Sequence, residues 1–455
     1  MSKHDLTRRA FLASATTTAV VAGVARANTA QVVPRKLSPN DKINVAAIGA
    51  GGKGGDDIMS LHRIKQNVNV VALCDVDWSQ TEETFYRIAG AKQYKDYRKM
   101  LEEMGGQIDA CTVSTPDHTH APAAYMAMNL GKHVYVQKPL THTIAEARLL
   151  RETAKKTGVI TQMGNQGHCG NGVRDLCEML WAGAIGDVTE AHIWTNRPVW
   201  PQGISEPLAE QPVPETMDWD LWIGTAPMRP YNKGYAPFKW RGWWDFGCGA
   251  IGDMACHIMD PAFWSLKLGD AATFTAQTVS QEGMSAQTAP LKSVIKFTFP
   301  ARADMQPVTV YWHDGGDKPP RPEGVPADEK LGDGDNGSLF IGTKGFITAG
   351  EYGGDARLLP AAVMKDYTKP PKTIERIKGQ SPYKNWVDGI LTGKPCASNF
   401  DYAGPLTEVA NFGNIALHAN GEAVTYDVAS MKITSNPALN TLLTKEYRKG
   451  WELPC

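Results

Sequence analysis

The sequence has almost no net charge with which to attract a charged partner. Lysine and arginine number 47, aspartate and glutamate 48, and the formal net charge is −1 at neutral pH. This balance gives no support for binding to nucleic acid or to a charged membrane surface. Cysteine is also scarce, with 8 in 455 residues, so a disulfide framework is excluded, although individual pairs stay open. Outside the N-terminus, no apolar run reaches the length of a membrane-spanning helix.

What is present is the composition of a globular chain. The sequence is 42% hydrophobic and 21% charged, and its 455 residues are enough for two domains.

The N-terminus reads as an export signal. Arg8 and Arg9 form a twin-arginine pair, a mildly apolar run follows over 13–24, and Ala25-Arg26-Ala27 fits a small-residue cleavage site. The run is short and rich in alanine and threonine, which disfavours a permanent membrane anchor. We therefore predict a twin-arginine signal peptide over 1–27, a linker over 28–41, and a mature periplasmic protein with no stable membrane span.

A glycine-rich turn follows the first buried strand pattern, over 42–49, and opens a helix. The glycines are Gly49, Gly51, Gly52 and Gly54. In this context their backbone N–H groups can hold a pyrophosphate at the helix N-terminus. The second strand pattern, over 68–74, ends in Asp75, at a suitable distance to bond a ribose hydroxyl. Because a carboxylate there would repel a 2′-phosphate, the pattern favours NAD over NADP.

Strand and helix patterns alternate as far as residue 163. This rhythm predicts an α/β domain over 42–163 with a parallel, doubly wound sheet. One strand, over 133–136, runs into Gln137-Lys138-Pro139, which places Lys138 at the carboxyl end of the sheet, where ligands bind. A lysine ammonium there can stabilise a developing alkoxide.

The pattern changes over 164–455, where strands follow one another without intervening helices. This predicts an α+β domain with a large, open and mainly antiparallel sheet. Asp253 and His257 are four residues apart on a predicted helix, so they share a face, and a carboxylate there can orient the imidazole. The long proline-rich segment over 197–240 predicts a lid or a subunit contact, and we predict a final helix over 437–451.

Several of these motifs occur together in one known family. They are Gly49-x-Gly51-x-x-Gly54, Asp75, Thr115-Pro116 with His120, Gly131-Lys132-His133-Val134, and Lys138-Pro139. In this order they resemble the Gfo/Idh/MocA family, whose members are nicotinamide-dependent oxidoreductases acting mostly on sugars and cyclitols. The family usually has Glu-Lys-Pro where this chain has Gln137-Lys138-Pro139.

The resemblance implies the roles of particular residues. Lys138, Asp253 and His257 would form the catalytic group: His257 takes the hydroxyl proton, Lys138 stabilises the oxygen and Asp253 sets the tautomer of the histidine. The implied cofactor-binding residues are Gly49, Gly51, Gly52, Gly54, Asp75, Thr115, Pro116, His120, Gln137 and Lys138. The family's open sheet also implies a homodimer or homotetramer.

The candidate substrate-binding residues come mainly from a segment that is rich in tryptophan. Tryptophan is dense between residues 194 and 264, and its flat apolar faces suit the C–H side of a pyranose. We predict His168, Trp200 and Trp243 as substrate-binding residues, with His168 or Tyr235 available as a further base. We predict no metal site, because no group of histidines and cysteines has the spacing of structural zinc.

Three functions remain open on the sequence. The first is an oxidoreductase acting on a CH–OH group of a sugar, glycoside or cyclitol, with hydride transfer to a tightly held NAD. The second is a redox-neutral NAD-dependent glycosidase, which oxidises, eliminates, hydrates and reduces, and so needs no flanking carboxylate pair. The third is a nucleotide-bound sugar-binding protein without turnover.

Overall fold

The computed structural model describes residues 34–38 and 40–455. The predicted signal peptide and half of the predicted linker therefore lie outside the described residues. In the part that is described, no helix is both long and apolar enough to cross a membrane.

The N-terminal domain is built on six parallel strands in the order β3-β2-β1-β4-β5-β6. The strands are β1 (Ile43–Ile48), β2 (Val68–Cys74), β3 (Lys92–Tyr94), β4 (Ala110–Val113), β5 (His133–Val136) and β6 (Thr161–Met163). The helices are α1 (Gly52–His62), α2 (Glu82–Arg87), α3 (Tyr97–Met104), α4 (His120–Asn129) and α5 (Ile144–Thr157). The predicted doubly wound sheet is confirmed. Its strand order reverses between β1 and β4, which is where such sheets form their ligand crevice.

The second domain contains nine strands in one mixed sheet, in the order β13-β12-β11-β7-β10-β9-β8-β14-β15. Its strands are β7 (Val188–Trp194), β8 (Thr273–Glu282), β9 (Lys292–Phe299), β10 (Val308–His313), β11 (Gly337–Gly342), β12 (Gly345–Ala349), β13 (Arg357–Leu359), β14 (Val424–Asp427) and β15 (Lys432–Ile433). Only the pair β7 and β10 is parallel. The predicted mainly antiparallel sheet is therefore confirmed.

Seven helices in the described part of the chain belong to this domain. They are α6 (Asn171–Trp181), α7 (Trp219–Ile223), α8 (Gly249–Ile258), α9 (Asp260–Ser265), α10 (Ala361–Lys365), α11 (Pro382–Thr392) and α12 (Phe400–Leu417). The long helix α12 joins the domains, since it packs against α5, α8 and β8. Arg148 of α5 bonds Glu408 of α12 across this contact, with Nη2 and Oε2 2.8 Å apart. The two domains thus hold fixed positions around the crevice.

Two details of the sequence prediction were wrong or incomplete. The final helix predicted over 437–451 is only a short 3-10 segment, Pro437–Leu443, after which the chain runs without regular structure. This tail makes tertiary contacts that a helix would forgo: Lys445 pairs with Glu146, and the Arg448 backbone N–H donates to the Thr225 carbonyl. The strand β3 and helix α2 were not predicted. All eight cysteines are free, so the possible pairs are absent.

Candidate active site

The glycine-rich turn fits tightly between β1 and β4. Gly49 has φ +83°, and a Cβ there would lie 2.5 Å from the Ser114 carbonyl oxygen. A Cβ on Gly54 would lie 2.2 Å from the Gly49 carbonyl oxygen. Neither position can carry a side chain without moving backbone. The turn therefore presents bare backbone at the N-terminus of α1, as a pyrophosphate requires.

The Asp75 carboxylate braces this turn. Its Oδ2 accepts hydrogen bonds from the backbone N–H groups of Ala50, at 2.8 Å, and Gly51, at 3.0 Å, and its Oδ1 accepts one from Asp77 at 2.9 Å. Burial raises the pKa of Asp75. A bond from this carboxylate to a ribose hydroxyl stays a prediction, but Asp75 does line the cleft beside the turn.

The cleft has a volume of about 300 Å³ and runs from the glycine turn to the ends of β4 and β5. Of the cofactor residues predicted from the sequence, all but Gly54 and His120 line it. Gly54 lies behind the turn, as its contact with Gly49 shows. The His120 ring nitrogens lie 2.8 Å from the Thr115 carbonyl oxygen and 2.9 Å from that of Pro139. His120 thus joins the two strand-end loops from behind rather than facing the cleft.

Lys138 meets Asp253 across the domain boundary. Lys138 Nζ lies 2.6 Å from Asp253 Oδ1 and 3.1 Å from the Asp253 carbonyl oxygen, and Arg241 Nε lies 3.2 Å from the same Oδ1. Burial alone would raise the pKa of Asp253, but the charges of Lys138 and Arg241 outweigh it and lower that pKa to about 2. The carboxylate therefore stays ionised and holds the Lys138 ammonium at the sheet edge.

His257 differs from its predicted arrangement. The carboxylate of Asp253 is directed to Lys138 and Arg241, and the predicted hydrogen bond between Asp253 and the imidazole is not formed. Within the described chain, His257 Nδ1 has no hydrogen-bond partner, and the ring stands edge-on to Tyr352. Burial and then the positive charge of Lys138 lower the pKa of His257 to about 3. The ring is consequently neutral near pH 7, and it lies behind Asp253 rather than among the residues that line the cleft.

The substrate half of the cleft is lined by aromatic residues, though not by those predicted. Phe238 and Trp240 line it beside Arg241, whose guanidinium carbon lies 4.5 Å and 4.3 Å from their ring centroids. They come from the predicted tryptophan-dense segment, in and before the 3-10 turn Lys239–Gly242. Flat apolar faces beside a charged donor can bind both faces of a sugar ring.

The three residues predicted to bind substrate lie elsewhere. Trp243 is fully buried and donates from its indole to the Gly234 carbonyl, and Trp200 is buried and donates to Gln202. His168 is buried with its Nδ1 3.0 Å from Asp260 Oδ2. None of the three lines the cleft, so their substrate roles have no support from its geometry. Tyr235 is also buried, packed against Trp243.

A carboxyl that we did not predict lies beside the pair. Asp117, in the 3-10 turn Asp117–Thr119 after β4, lines the cleft together with Lys138 and Asp253. Burial raises the pKa of Asp117 to about 7, against a smaller opposing effect of Lys138. The sequence signal was the acid directly after Thr115-Pro116 at a strand end.

This raised pKa makes stability depend on pH. A carboxyl with a pKa near 4 when unfolded and about 7 when folded binds its proton more tightly in the native state. The contribution of Asp117 to the free energy of unfolding is therefore fully present below pH 4. It is lost as the pH rises to 7, by up to about 1.4 kcal/mol for each pH unit. We expect Asp117→Asn, which does not titrate, to gain stability relative to the wild type between pH 5 and 8 in urea unfolding. If the stability difference between Asp117→Asn and the wild type is the same at pH 5 and at pH 8, this expectation is wrong.

The opposite end of the cleft is covered by a feature that we call the strap: residues 214–224 together with the tail 448–451. In its first part, the Thr216 carbonyl accepts from the Trp78 backbone and from Lys95 Nζ, and the Asp218 backbone N–H donates to Val76. In the tail, Trp451 lines the cleft, and the Arg98 guanidinium carbon lies 4.3 Å from its ring centroid. The strap thus lies over the end of β2, where an adenosine would bind.

A glycine turn at the switch point of a doubly wound sheet, facing a lysine–carboxylate pair across a second domain, defines a dinucleotide-binding oxidoreductase of two domains. Comparison with known proteins gives the family. A family model described as "Oxidoreductase family, NAD-binding Rossmann fold" matches residues 43–165, and the C-terminal α/β domain of the same family matches 187–298. The chain belongs to the Gfo/Idh/MocA oxidoreductases, and NAD is its cofactor.

Individual relatives are distant. The inositol 2-dehydrogenase of Salmonella typhimurium is 26% identical over 152 residues, which are 33% of this chain and 45% of that protein. The alpha-N-acetylgalactosaminidase of Shewanella oneidensis is 27% identical over 208 residues, which are 41% of this chain and 45% of that protein. This chain therefore spans less than half the length of the curated relatives that it matches.

Among solved structures, GenD2 from gentamicin A biosynthesis, in complex with NAD, has a similar fold. Its TM-score is 0.57 at 20% identity, and the match covers 87% of this chain and 99% of that one. This likeness concerns the fold alone.

Proposed function

We propose that this protein oxidises and reduces a CH–OH group of a sugar, glycoside or cyclitol, with NAD held tightly in the cleft. The observation that carries the proposal is the Lys138–Asp253 pair at 2.6 Å, which fixes an ammonium at the sheet edge beside the nucleotide site. The similarity to an inositol dehydrogenase supports the same reaction class. Bound NAD supplies a nicotinamide carbon that accepts hydride and returns it.

Residues of the chain supply the other steps of the reaction. The Lys138 ammonium donates a hydrogen bond to the substrate oxygen and stabilises negative charge that develops there. The neutral His257 ring accepts the hydroxyl proton, and Asp253 and Arg241 hold Lys138 in place. Phe238 and Trp240 orient the sugar ring against this pair.

A direct test uses the absorbance of NADH. The purified protein is first loaded with one equivalent of NADH and then mixed with each member of a panel of keto sugars and inososes, and loss of the absorbance of the bound NADH is followed over a single turnover. Oxidation of NADH by at least one member of the panel is the expected result. If every ketone leaves NADH untouched at millimolar concentration, the proposed reaction is wrong.

The strap supports the proposal that NAD is held tightly. The strap adds aromatic and backbone contacts at the end of the cleft where a dinucleotide would otherwise exchange with solvent. We also propose that the protein is exported by the twin-arginine route, since a retained nucleotide would let it act where free NAD is scarce. Assembly into a homodimer or homotetramer through the open sheet is part of the same proposal.

Removing Trp451 should speed the release of the nucleotide. We expect Trp451→Ala to raise the NAD dissociation rate by about tenfold or more, because the ring that closes the adenosine end is lost. The rate is measured by chasing bound NADH, followed by its fluorescence, with excess NAD. Trp181→Ala is the matched control, since Trp181 is 41% exposed and bonded to Ser265 away from the cleft. Equal rates in both variants would count against the strap.

The redox-neutral glycosidase is a second candidate, because Asp117 adds a titrating carboxyl to the site. An elimination needs such a group, and a relative that bears the name of a galactosaminidase supports the reaction class. The third possibility, a sugar-binding protein without turnover, is disfavoured by the intact Lys138–Asp253 pair. The NADH experiment separates it from the other two.

A further inference from the structure

Asp117 has a structural role that could by itself explain its presence. Its Oδ2 accepts a hydrogen bond from the backbone N–H of Cys248, at 3.1 Å, and Cys248 is the residue that precedes α8. The side chain is only 3% exposed, yet it lines the cleft with Lys138 and Asp253. A helix-capping carboxyl needs no access to the cleft, so its position at the cleft wall requires a second explanation.

The charges around Asp117 come from both domains. Lys138 and Arg241 favour its ionised form, Asp253 opposes it, and the Cys248 thiol is a hydrogen-bonding neighbour. The Cys256 thiol also faces the same group. Burial outweighs the two cations and raises the pKa of Asp117 to about 7. Near neutral pH such a carboxyl takes up and gives back a proton with little free-energy cost, which suits a general acid–base.

Asp117 and Lys138 act on the same cavity from the ends of neighbouring strands. Asp117 follows β4 and Lys138 follows β5, and the two strands pair in parallel register. A ketone oxygen held by Lys138 would therefore have its neighbouring carbon within the volume that Asp117 borders. His168 and Tyr235 do not line the cleft, and the Asp253 carboxylate is held by Lys138 and Arg241, so Asp117 is the carboxyl placed to act as a base there.

We propose that Asp117 removes the proton from the substrate carbon adjacent to the carbon that is oxidised. The inference rests on the proposed function, because the ketone must be formed first by hydride transfer to bound NAD. The C–H bond breaks, its electron pair forms the carbon–carbon double bond of an enolate, and the proton goes to the Asp117 carboxylate. The Lys138 ammonium stabilises the charge on the former ketone oxygen. In a glycoside, the enolate can then re-form the ketone while its carbon–carbon electron pair expels the oxygen bound to the next carbon. The C–O bond breaks, and the expelled oxygen takes the proton from Asp117.

The test begins from the ketone and so needs no oxidant. Methyl 3-ketoglucopyranoside and scyllo-inosose are incubated with the protein in D₂O, and deuterium uptake beside the ketone is followed by mass spectrometry. We expect Asp117→Asn to lower the exchange rate by at least about 100-fold, while NADH oxidation with the same ketones falls by less than about tenfold. Asparagine keeps an acceptor for the Cys248 N–H, so helix capping is retained.

A readout independent of turnover comes from carbon-13 NMR of protein labelled at the aspartate carboxyl carbon. Two resonances should titrate near neutral pH, because burial raises the pKa of both Asp117 and Asp314 to about 7, and only that of Asp117 should be missing from Asp117→Asn. Asp314→Asn is the control, since Asp314 is a buried carboxyl bonded to Trp312 and Ser293, and it does not line the cleft. That variant should keep the exchange rate.

The outcomes separate the two proposals. A wild type that exchanges deuterium without oxidising NADH would contradict the oxidoreductase and leave the role of Asp117 intact. A wild type that oxidises NADH without exchanging deuterium would overturn the role of Asp117 alone. Equal losses of both reactions in Asp117→Asn, or an Asp117 resonance that titrates below pH 5, would also overturn it.

Discussion

Replacing Lys138 with methionine should lower the turnover of the protein by about a thousandfold. The ammonium is the donor nearest to the predicted position of the substrate oxygen, and removal of one donor to a developing oxyanion typically costs 10²–10³ in rate. Methionine keeps most of the side-chain volume, so the cleft should retain its shape. The loss should appear in kcat more than in KM, because the charge on the oxygen develops in the transition state.

The control for Lys138→Met is Lys132→Met. Lys132 is on the same segment of chain, and its Nζ donates to the backbone carbonyl of Gly105 on the far side of the domain. Its replacement should leave turnover within about twofold. Both variants should carry as much NAD as the wild type after purification, quantified in the denatured supernatant. Loss of NAD from Lys138→Met would assign the lysine to cofactor binding, and unchanged turnover would disprove its catalytic role.

The sequence was informative wherever the signal was contiguous. The strand predicted over 42–49, the glycine turn and the lysine before Pro139 each combine a local pattern with a known place at a parallel sheet edge. The N-terminal sheet and the placement of Lys138 could therefore be predicted. The tail after Leu443 could not, since its conformation depends on partners such as Glu146 that are remote in the chain.

Side-chain contacts across the domain boundary could not be predicted from local sequence patterns. We paired Asp253 with His257 because they are four residues apart on one helix, but a buried carboxylate gains more from the charges of Lys138 and Arg241 than from a neutral ring. Trp240 and Trp243 show the same limit. They are three residues apart, yet the first lines the cleft and the second is buried, because the 3-10 turn between them changes the direction of the chain.

Gln137 is the clearest departure from the family pattern, and the structure supplies a reason for it. The amide Nε2 of Gln137 donates to Asp57 Oδ2 at 2.7 Å. Asp57, in α1, has a fully buried side chain that also accepts hydrogen bonds from Ser114, at 2.8 Å, and Tyr383, at 2.7 Å, and it pairs with Lys53. A glutamate at 137 would bring a second carboxylate against the first. In this chain the carboxyl nearest to position 137 is thus that of Asp57, one hydrogen bond away.

The hydrogen bond between Gln137 and Asp57 predicts the behaviour of a double-mutant cycle. Gln137→Glu alone should destabilise the protein by on the order of 2 kcal/mol at pH 8, because two buried carboxylates would face each other without a proton between them. The penalty should shrink as the pH is lowered, since a proton shared between the two carboxylates removes their repulsion. Asp57→Asn alone should also be destabilising, because Lys53 and the two hydroxyl donors lose a charged acceptor.

The double variant Asp57→Asn with Gln137→Glu should recover most of both losses. Its amide at 57 can donate to the carboxylate at 137, which reverses the direction of the hydrogen bond and returns the charge to the family's usual position. Free energies of unfolding of the four proteins in urea give the coupling, which we expect to exceed about 1 kcal/mol at pH 8 and to be smaller at pH 5. If the losses of unfolding free energy in the two single variants simply add in the double variant, the residues at 57 and 137 are not coupled. In that case the absent glutamate would have no compensating residue in α1.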